Sequence, residues 1–259
     1  MKVSRTGQVA GLVLSGALAL SACGSDNNST ASSGGSASSS PSASAIDCKT
    51  GTLTAAGSTA QKNAMDEWVK NYQQKCSGST INYQSVGSGA GVQQFLAGTI
   101  DFAGSDSALK PEEQPKADAR CGTGNHAIHL PMVVGPIGVA YNVQGVSDLV
   151  LDGPTTAKIF SGAITKWNDP AIAKLNPKAQ LPSTGIQAFH RSDASGTTDN
   201  FTSYLKAAGG SDWTYGSGKE WKAPGGQGAK GNEGVSAGVK QTDGAVGYLE
   251  LSFVENSGL

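Results

Sequence analysis

The sequence predicts an α/β protein with two lobes, each built on a mostly parallel sheet flanked by helices. Short apolar strands alternate with helical segments from Thr52 to Pro131, the pattern of parallel βαβ units. Turns rich in glycine, serine and threonine follow four of the predicted strands. The chain has 259 residues, and the part after its low-complexity N-terminal stretch is long enough for two lobes.

The first 22 residues predict a signal peptide. Lys2 and Arg5 precede an apolar run from Val9 to Ala22 that is too short to span a bilayer. The run ends in Leu20-Ser21-Ala22-Cys23, which resembles the lipidation motif of bacterial lipoproteins. We therefore expect Cys23 to be lipidated and to become the new N-terminus. The alternative is an ordinary signal peptide with a chance cysteine.

Residues 23–47 predict a disordered tether. From Gly24 to Ala45 the chain consists almost entirely of serine, alanine, glycine, asparagine and threonine. Such a composition cannot bury enough apolar surface to fold. We expect a globular head anchored to the outer leaflet of the bacterial cell membrane.

The first three strands each end in a small-residue turn. Gly57-Ser58-Thr59-Ala60 precedes a helix, Gly87–Gly91 follows the strand Thr80–Val86, and Gly104-Ser105-Asp106 follows the strand Thr99–Ala103. The first helix is indicated by apolar residues at helical spacing: Ala64, Met65, Trp68, Val69 and Tyr72. Ligands of open α/β sheets bind at the carboxyl ends of strands, so these turns predict a binding site.

The segment from His190 to Thr198 is the strongest indication of a ligand. It lies between a predicted strand, Ile186–Phe189, and a predicted helix, Thr197–Ala208. A helix N-terminus offers free N–H groups and the positive end of a dipole, and Arg191 adds a planar fork suited to a tetrahedral oxyanion. A Ser-Gly-Thr helix cap alone would be weak evidence, but four such turns together favour an anion site.

The second lobe follows from the middle of the chain. Residues 132–142 predict two extended pieces broken at Gly135-Pro136, a natural crossover between lobes. Later helices are predicted near Pro154–Phe160, Asp169–Leu175 and Asn232–Lys240, and a strand at Ala245–Ser252 is expected to return to the first lobe. We therefore assign residues 48–132 with 247–259 to the first lobe and residues 133–246 to the second.

The chain has four cysteines, of which three remain after Cys23. Cys48 precedes the first strand and Cys76 ends the first helix, so both lie at one edge of a parallel βαβ unit. The sequence favours a Cys48–Cys76 disulfide, with Cys121 free or paired elsewhere. Three reduced, buried cysteines are the alternative.

Several segments resemble the phosphate-binding lipoproteins of phosphate ABC transporters, the Pst substrate-binding proteins, in their actinobacterial form. The matching segments are Gly57–Thr59, Val86–Gly91, Phe102–Asp106, Ile164–Asp169, Leu175–Pro177, His190–Thr197 and Gly244–Tyr248. This resemblance implies a type II periplasmic-binding-protein-like fold with the ligand in the cleft between the lobes. Family members continue beyond Leu259, so we expect a C-terminally truncated chain with an incomplete first lobe.

The resemblance also implies a ligand set. The family's phosphate-binding groups fall on Thr59, the amide of Ala60, Ser88, Asp106, Arg191, Ser195, the amide of Gly196, and Thr197. Asp193 matches the carboxylate that orients the arginine. Ala194 stands where many relatives have glycine, and a positive φ there would strain it.

The implied function is an extracytoplasmic receptor that captures inorganic phosphate and delivers it to a membrane permease with a cytoplasmic ATPase. We expect no cofactor, no metal and no enzymatic activity. Removing Lys2 and Arg5 lowers the formal charge from −1 to −3, which argues against a nucleic-acid partner. The alternatives are a receptor for another tetrahedral oxyanion, such as sulfate or molybdate, and a phosphoryl-processing hydrolase.

Other chemistry has weaker support. Ser195, His190 and Asp193 include the residue types of a hydrolase triad, but the segment lacks a G-x-S-x-G elbow. His126 and His129 lie three apart on an apparent strand and so make a poor metal pair. The glycine-rich run from Pro224 to Gly238 is interpreted as a loop and the start of a helix.

Overall fold

The protein is described by a computed structural model that covers residues 46–259. The predicted signal peptide, Cys23 and nearly all of the predicted tether lie outside these residues. The strands are β1 Gly51–Gly57, β2 Ser79–Ser85, β3 Phe102–Gly104, β4 Ile137–Asn142, β5 Gln187–Arg191, β6 Gln227–Ala229 and β7 Ala245–Glu250. The α-helices are α1 Lys62–Lys75, α2 Ser88–Leu96, α3 Gln114–Arg120, α4 Gly153–Phe160, α5 Pro170–Leu175, α6 Gly196–Ala208, α7 Gly231–Gln241 and α8 Leu251–Ser257.

The first lobe is the three-stranded sheet with α1, α2 and α3. Its strands lie in the order β2-β1-β3, and both neighbours run parallel to β1. The carboxyl ends of β1 and β3 are level, because Gly57 pairs with Gly104. A Cβ on Gly57 would come within 2.0 Å of the Gly104 carbonyl oxygen, so only glycine allows this approach. The loops after the two strands are therefore held side by side.

A disulfide joins Cys48 to Cys76, the pair that the sequence favoured. The two Cα atoms are 5.3 Å apart, and the bridge links the start of β1 to the end of α1. Cys121 is the free cysteine of residues 46–259. The bridge ties the first βαβ unit together at the edge opposite the predicted site.

The second lobe is the four-stranded sheet with α4 to α8. Its strands lie in the order β4-β7-β5-β6; β4 is antiparallel to β7, and the other pairs are parallel. All six residues of β7 are buried. One apolar cluster covers the sheet and includes Trp167, Phe201 and Tyr248. The three tryptophans at 167, 213 and 221 pack in or against this cluster, so they serve lobe packing.

The predicted return of residues 247–259 to the first lobe is wrong. The strand that contains residue 247 is β7, which lies between β4 and β5 in the second sheet. The helix that follows, α8, packs on α7, β4 and β7. Alternation of strands and helices along the chain cannot reveal which sheet a strand joins. Here the apolar strand β7 joins the second sheet, where it is buried between two neighbouring strands.

The extended segment at 132–142 is also shorter than expected. Only Ile137–Asn142 forms a strand, and residues 126–136 form neither helix nor strand. Pro136 has no N–H for the ladder, so the pairing with β7 begins at Ile137.

Among residues 46–259, no helix has both the length and the apolar character needed to cross a membrane.

Candidate functional site

The predicted site residues lie where loops from both lobes meet. Thr59 and Ala60 follow β1, Ser88 begins α2, and Asp106 follows β3. Arg191 ends β5, and the residues from Ser195 to Thr197 begin α6. A cleft between the lobes is bordered by Ala60, Asp106 and Thr197. The structure thus brings together groups that are widely separated along the chain.

Arg191 is the buried cation of this cluster. Its side chain is fully buried, and Nε donates to Asp193 Oδ1 at 2.7 Å while Nη2 donates to Oδ2 at 2.5 Å. This two-point contact fixes the plane of the guanidinium. Nη1 donates to Thr197 Oγ1 at 3.3 Å, and Thr197 borders the cleft.

Asp193 is ionised by the same arrangement. Burial raises its pKa, but the hydrogen bonds and charge of Arg191, together with the N–H of Gly231, outweigh burial and hold the pKa below its usual value. Gly231 donates its N–H to Asp193 Oδ1 at 3.1 Å. These contacts hold the Asp193 carboxylate and the Arg191 guanidinium in one relative orientation.

Asp106 is the second carboxylate, and hydroxyl groups from both lobes surround it. Ser58 donates to Oδ1, while Ser88 and Thr197 donate to Oδ2 at 3.3 and 3.2 Å. Asn200 donates to the Asp106 carbonyl at 2.9 Å. A carboxylate accepts hydrogen bonds and has no hydrogen of its own to donate.

Ser195 is the N-cap of α6 and the start of a buried hydroxyl chain. Its Oγ accepts from the N–H of Thr198 at 2.9 Å and donates to Thr198 Oγ1 at 2.8 Å. Thr198 Oγ1 lies 2.7 Å from the Tyr248 hydroxyl, which also accepts the N–H of Arg191 at 3.1 Å. Burial raises the pKa of Tyr248 to about 12. A neutral tyrosine therefore links the arginine backbone to the helix cap.

Thr59 is held by the second lobe. Its Oγ1 accepts two hydrogen bonds from Asn232, one from the backbone N at 3.2 Å and one from Nδ2 at 2.8 Å. The Ala60 N–H donates to Ser58 Oγ at 3.1 Å, and Tyr83 donates to the Ser58 carbonyl at 2.8 Å. The turn after β1 is thus ordered by contacts from several directions.

The two lobes approach closely at the loop before α6. Gly89 donates its N–H to the Ala194 carbonyl at 2.9 Å, and a Cβ on Gly196 would lie 2.6 Å from that of Asp106. Asp148 is the only residue besides glycine with positive φ in the described part of the chain, so Ala194 has an ordinary backbone and is unstrained.

Four residues of the cluster were not predicted from the sequence. Ser58 and Thr198 are neighbours of predicted residues, and their small hydroxyls in the same turns were a usable signal. Tyr248 and Asn232 reach the site from β7 and α7, and no local pattern marks them. Their contributions depend on contacts between distant parts of the chain.

The alternative chemistries gain no geometric support. His190 Nδ1 lies 3.0 Å from the Arg191 carbonyl, and its ring stacks on Trp221 with centroids 5.0 Å apart. His126 contacts Asp118, and His129 contacts Gln114. No cluster of three or more potential metal ligands is found within residues 46–259. These histidines are accounted for by local packing and hydrogen bonding.

The arrangement is suited to a small tetrahedral oxyanion that carries a proton. Arg191 supplies positive charge and the N-terminus of α6 supplies amides. The hydroxyls of Ser88, Thr197 and Ser195 donate to Asp106 and Thr198, and each would have to turn in order to donate to an anion. Asp106 supplies the one group that must accept.

Comparison with known proteins agrees with this geometry. Residues 36–259 match the family model described as a PBP superfamily domain. Phosphate-binding protein PstS 3 of Mycobacterium leprae is 50% identical over 98% of this chain and 67% of its own length. The PstS 3 protein of Mycobacterium tuberculosis is 48% identical over 98% of this chain and 68% of its own length.

The fold has solved counterparts as well. The crystal structure of a phosphate-binding protein from Stenotrophomonas maltophilia aligns with a TM-score of 0.60 at 22% identity, over 77% of this chain and 60% of that one. At 22% identity, this similarity supports a shared fold and nothing further. The curated relatives support the family: the chain belongs to the PstS family of phosphate-binding proteins, within the PBP superfamily.

Proposed function

We propose that this chain is an extracytoplasmic receptor that captures inorganic phosphate in the cleft between its lobes. The observation that carries the proposal is a fully buried arginine linked through Thr197 to a second carboxylate, Asp106, which accepts hydrogen bonds from three hydroxyls. Arg191 is held by Asp193, and Asp106 accepts from Ser58, Ser88 and Thr197. The proposal is supported by the PstS relatives, whose names state that they bind phosphate.

The proposed ligands are Thr59, the amides of Ala60 and Gly196, Ser88, Asp106, Arg191, Ser195 and Thr197. The hydroxyls of Ser88, Ser195 and Thr197 would turn from their acceptors in the structure to donate to the phosphate oxygens, together with the amides. Arg191 would neutralise part of the charge. The chain is acidic after removal of the signal peptide, so local groups rather than the overall field must attract the anion. Residues 48–132 supply one wall of the cleft and the segment from 133 supplies the other.

Asp106 gives this site its selectivity. Phosphate at neutral pH carries at least one proton and can donate to the carboxylate, whereas sulfate presents only acceptors. Sites that require such a hydrogen bond reject analogues lacking it by roughly 10⁴–10⁵-fold. Molybdate lacks the proton as well, so the same argument disfavours it.

Titration calorimetry of the chain with phosphate, arsenate and sulfate at pH 7 tests the function. We expect phosphate and arsenate to bind and sulfate to bind at least about a thousandfold more weakly. Asp106→Asn should narrow the gap between phosphate and sulfate, because an amide can also donate. Equal affinity of the wild type for phosphate and sulfate would refute the mechanism.

The receptor would deliver its phosphate to an ABC-type permease with a cytoplasmic ATPase, and no catalytic role is proposed. Anchoring is the second part of this proposal, and it rests on the Leu20-Ser21-Ala22-Cys23 motif. Cys23→Ala should release the protein into the medium or leave it uncleaved. Fractionation that finds the variant processed and membrane-bound as before would contradict the lipid anchor.

A further inference from the structure

The first two residues of α7 have a role that the proposed ligand set does not include. Gly231 and Asn232 are the first two residues of α7, where backbone N–H groups have no partner within the helix. Gly231 donates to Asp193, which holds Arg191, and Asn232 donates to Thr59. Two adjacent residues thus contact groups on both sides of the cleft.

Asn232 is completely buried, and all of its side-chain hydrogen-bonding atoms face polar partners. Its Oδ1 accepts the N–H of Glu250 at 2.9 Å, and its Nδ2 donates to Thr59 Oγ1 at 2.8 Å. These contacts determine the orientation of the amide. The Glu250 N–H can only donate, so the oxygen must face Glu250 and the nitrogen must face Thr59.

This orientation decides what the Thr59 hydroxyl can do. A threonine hydroxyl has two acceptor sites and one hydrogen. Both acceptor sites are taken by Asn232, through its backbone N and its Nδ2. The single hydrogen of Thr59 is therefore left to donate to a further acceptor, which is the polarity that an anion requires.

We propose that Asn232 is a positioning residue that sets the Thr59 hydroxyl as a donor to the bound anion and links the first lobe to α7 of the second. The inference rests on the proposed function, because it identifies what orients one of the phosphate-binding groups. Asn232 itself does not touch the anion. It acts through Thr59, and the neighbouring Gly231 acts on the opposite side through Asp193.

Asn232→Asp is the sharpest test, because it is nearly isosteric. The substituted carboxyl keeps an oxygen for the Glu250 N–H but turns the group facing Thr59 from a donor into an acceptor. The Thr59 hydrogen is then drawn to the carboxylate and withheld from the anion. We expect phosphate affinity at pH 8 to fall about tenfold to a hundredfold, as for loss of a hydrogen bond to a charged group.

The pH profile separates positioning from general damage. Protonation of the substituted carboxyl restores a donor towards Thr59, so the ratio of variant to wild-type dissociation constants should shrink as the pH is lowered from 8 to 5.

Asn176→Asp is the matched control. Asn176 is also buried and makes three hydrogen bonds, with Val150 and Ile172 rather than with the site. That variant should lose stability and keep wild-type affinity.

A double-mutant cycle with uncharged variants at positions 232 and 59 covers the case in which Asn232→Asp does not fold. Asn232→Ala should weaken phosphate binding in the wild-type background and have little further effect in a Thr59→Ala background, since the two residues act as one unit. Additive losses, or wild-type affinity in the Asn232 variants, would overturn the inference while leaving the proposed function intact. A wild-type chain that binds no phosphate would refute both.

Discussion

The two halves of the candidate site are supported in different ways. The second-lobe half, around Arg191 and Ser195, is attached to the core through Tyr248, whose ring stacks on Phe201 with centroids 4.3 Å apart. The first-lobe half, around Thr59 and Ser88, is held mainly by hydrogen bonds. Thr59 accepts from Asn232 of the second lobe, and Ser88, the first residue of α2, donates to Asp106 of its own lobe. One half is packed on the core of its own lobe, and the other is held by polar contacts, some of which come from the second lobe.

Because of this difference, we expect substitutions in the two halves to affect the free energy of unfolding and phosphate affinity in different proportions. Substitutions in the second-lobe half should lower both the free energy of unfolding and phosphate affinity, because the same atoms serve packing and binding. Substitutions in the first-lobe half should lower affinity with less loss of stability. Substitutions in both halves, measured for unfolding free energy and for phosphate affinity, test that separation.

Arg191→Ala should have the largest effect. It removes the proposed charged ligand and leaves the carboxylate of Asp193 largely buried without its partner. Breaking a buried ion pair in this way lowers the free energy of unfolding by about 3–5 kcal/mol. Denaturant unfolding and calorimetry with phosphate measure the two losses. Adding Asp193→Asn should recover part of the stability and none of the affinity; full recovery of affinity would place the anion elsewhere.

Acid should weaken the second-lobe half through Asp193. Its pKa is lower in the folded protein than the value of about 3.9 expected when unfolded, so its stabilising contribution is fully present above that value. The contribution is lost as the pH falls through the folded pKa. The difference in unfolding free energy between the wild type and Asp193→Asn should therefore be constant at neutral pH and shrink below about pH 4. A difference that grows in acid would contradict this.

Ser195→Ala should lower both quantities moderately. Loss of the α6 N-cap lowers the free energy of unfolding by about 0.5–2 kcal/mol. Loss of the proposed ligand contact weakens phosphate binding about tenfold to a hundredfold. Asp152→Ala is the matched control, because Asp152 caps α4 through the N–H of Thr155 at 2.8 Å. It should lose similar stability and keep its affinity.

Ser88→Ala should have the smallest effect on stability. Ser88 is the first residue of α2 rather than its cap, and its hydroxyl contacts Asp106. We expect phosphate affinity to fall about tenfold and the free energy of unfolding to fall by less than about 1 kcal/mol. Thermal unfolding and titration of this variant beside Ser195→Ala give the comparison directly. Equal stability losses in the two variants would show that the halves are not supported differently.

The sequence by itself determined the local chemistry of this protein. Turns of glycine, serine and threonine after strands, an arginine with an aspartate two residues later, and a cysteine pair at one end of a βαβ unit are short-range patterns. The turns and the arginine–aspartate spacing are set within a few residues, and the cysteine pair, 28 positions apart, is set by the geometry of one βαβ unit. For that reason β1, β2, β5, α6 and the disulfide could be predicted.

The tertiary structure alone decided which distant groups complete the site. Asn232 meets Thr59 across 173 positions of the chain, and Tyr248 meets Arg191 across 57. It also decided that β7 lies at the centre of the second sheet, where all six of its residues are buried. Hydrogen bonding and burial of this kind depend on how elements pack, and packing brings together residues whose sequence neighbourhoods carry no mark of the contact.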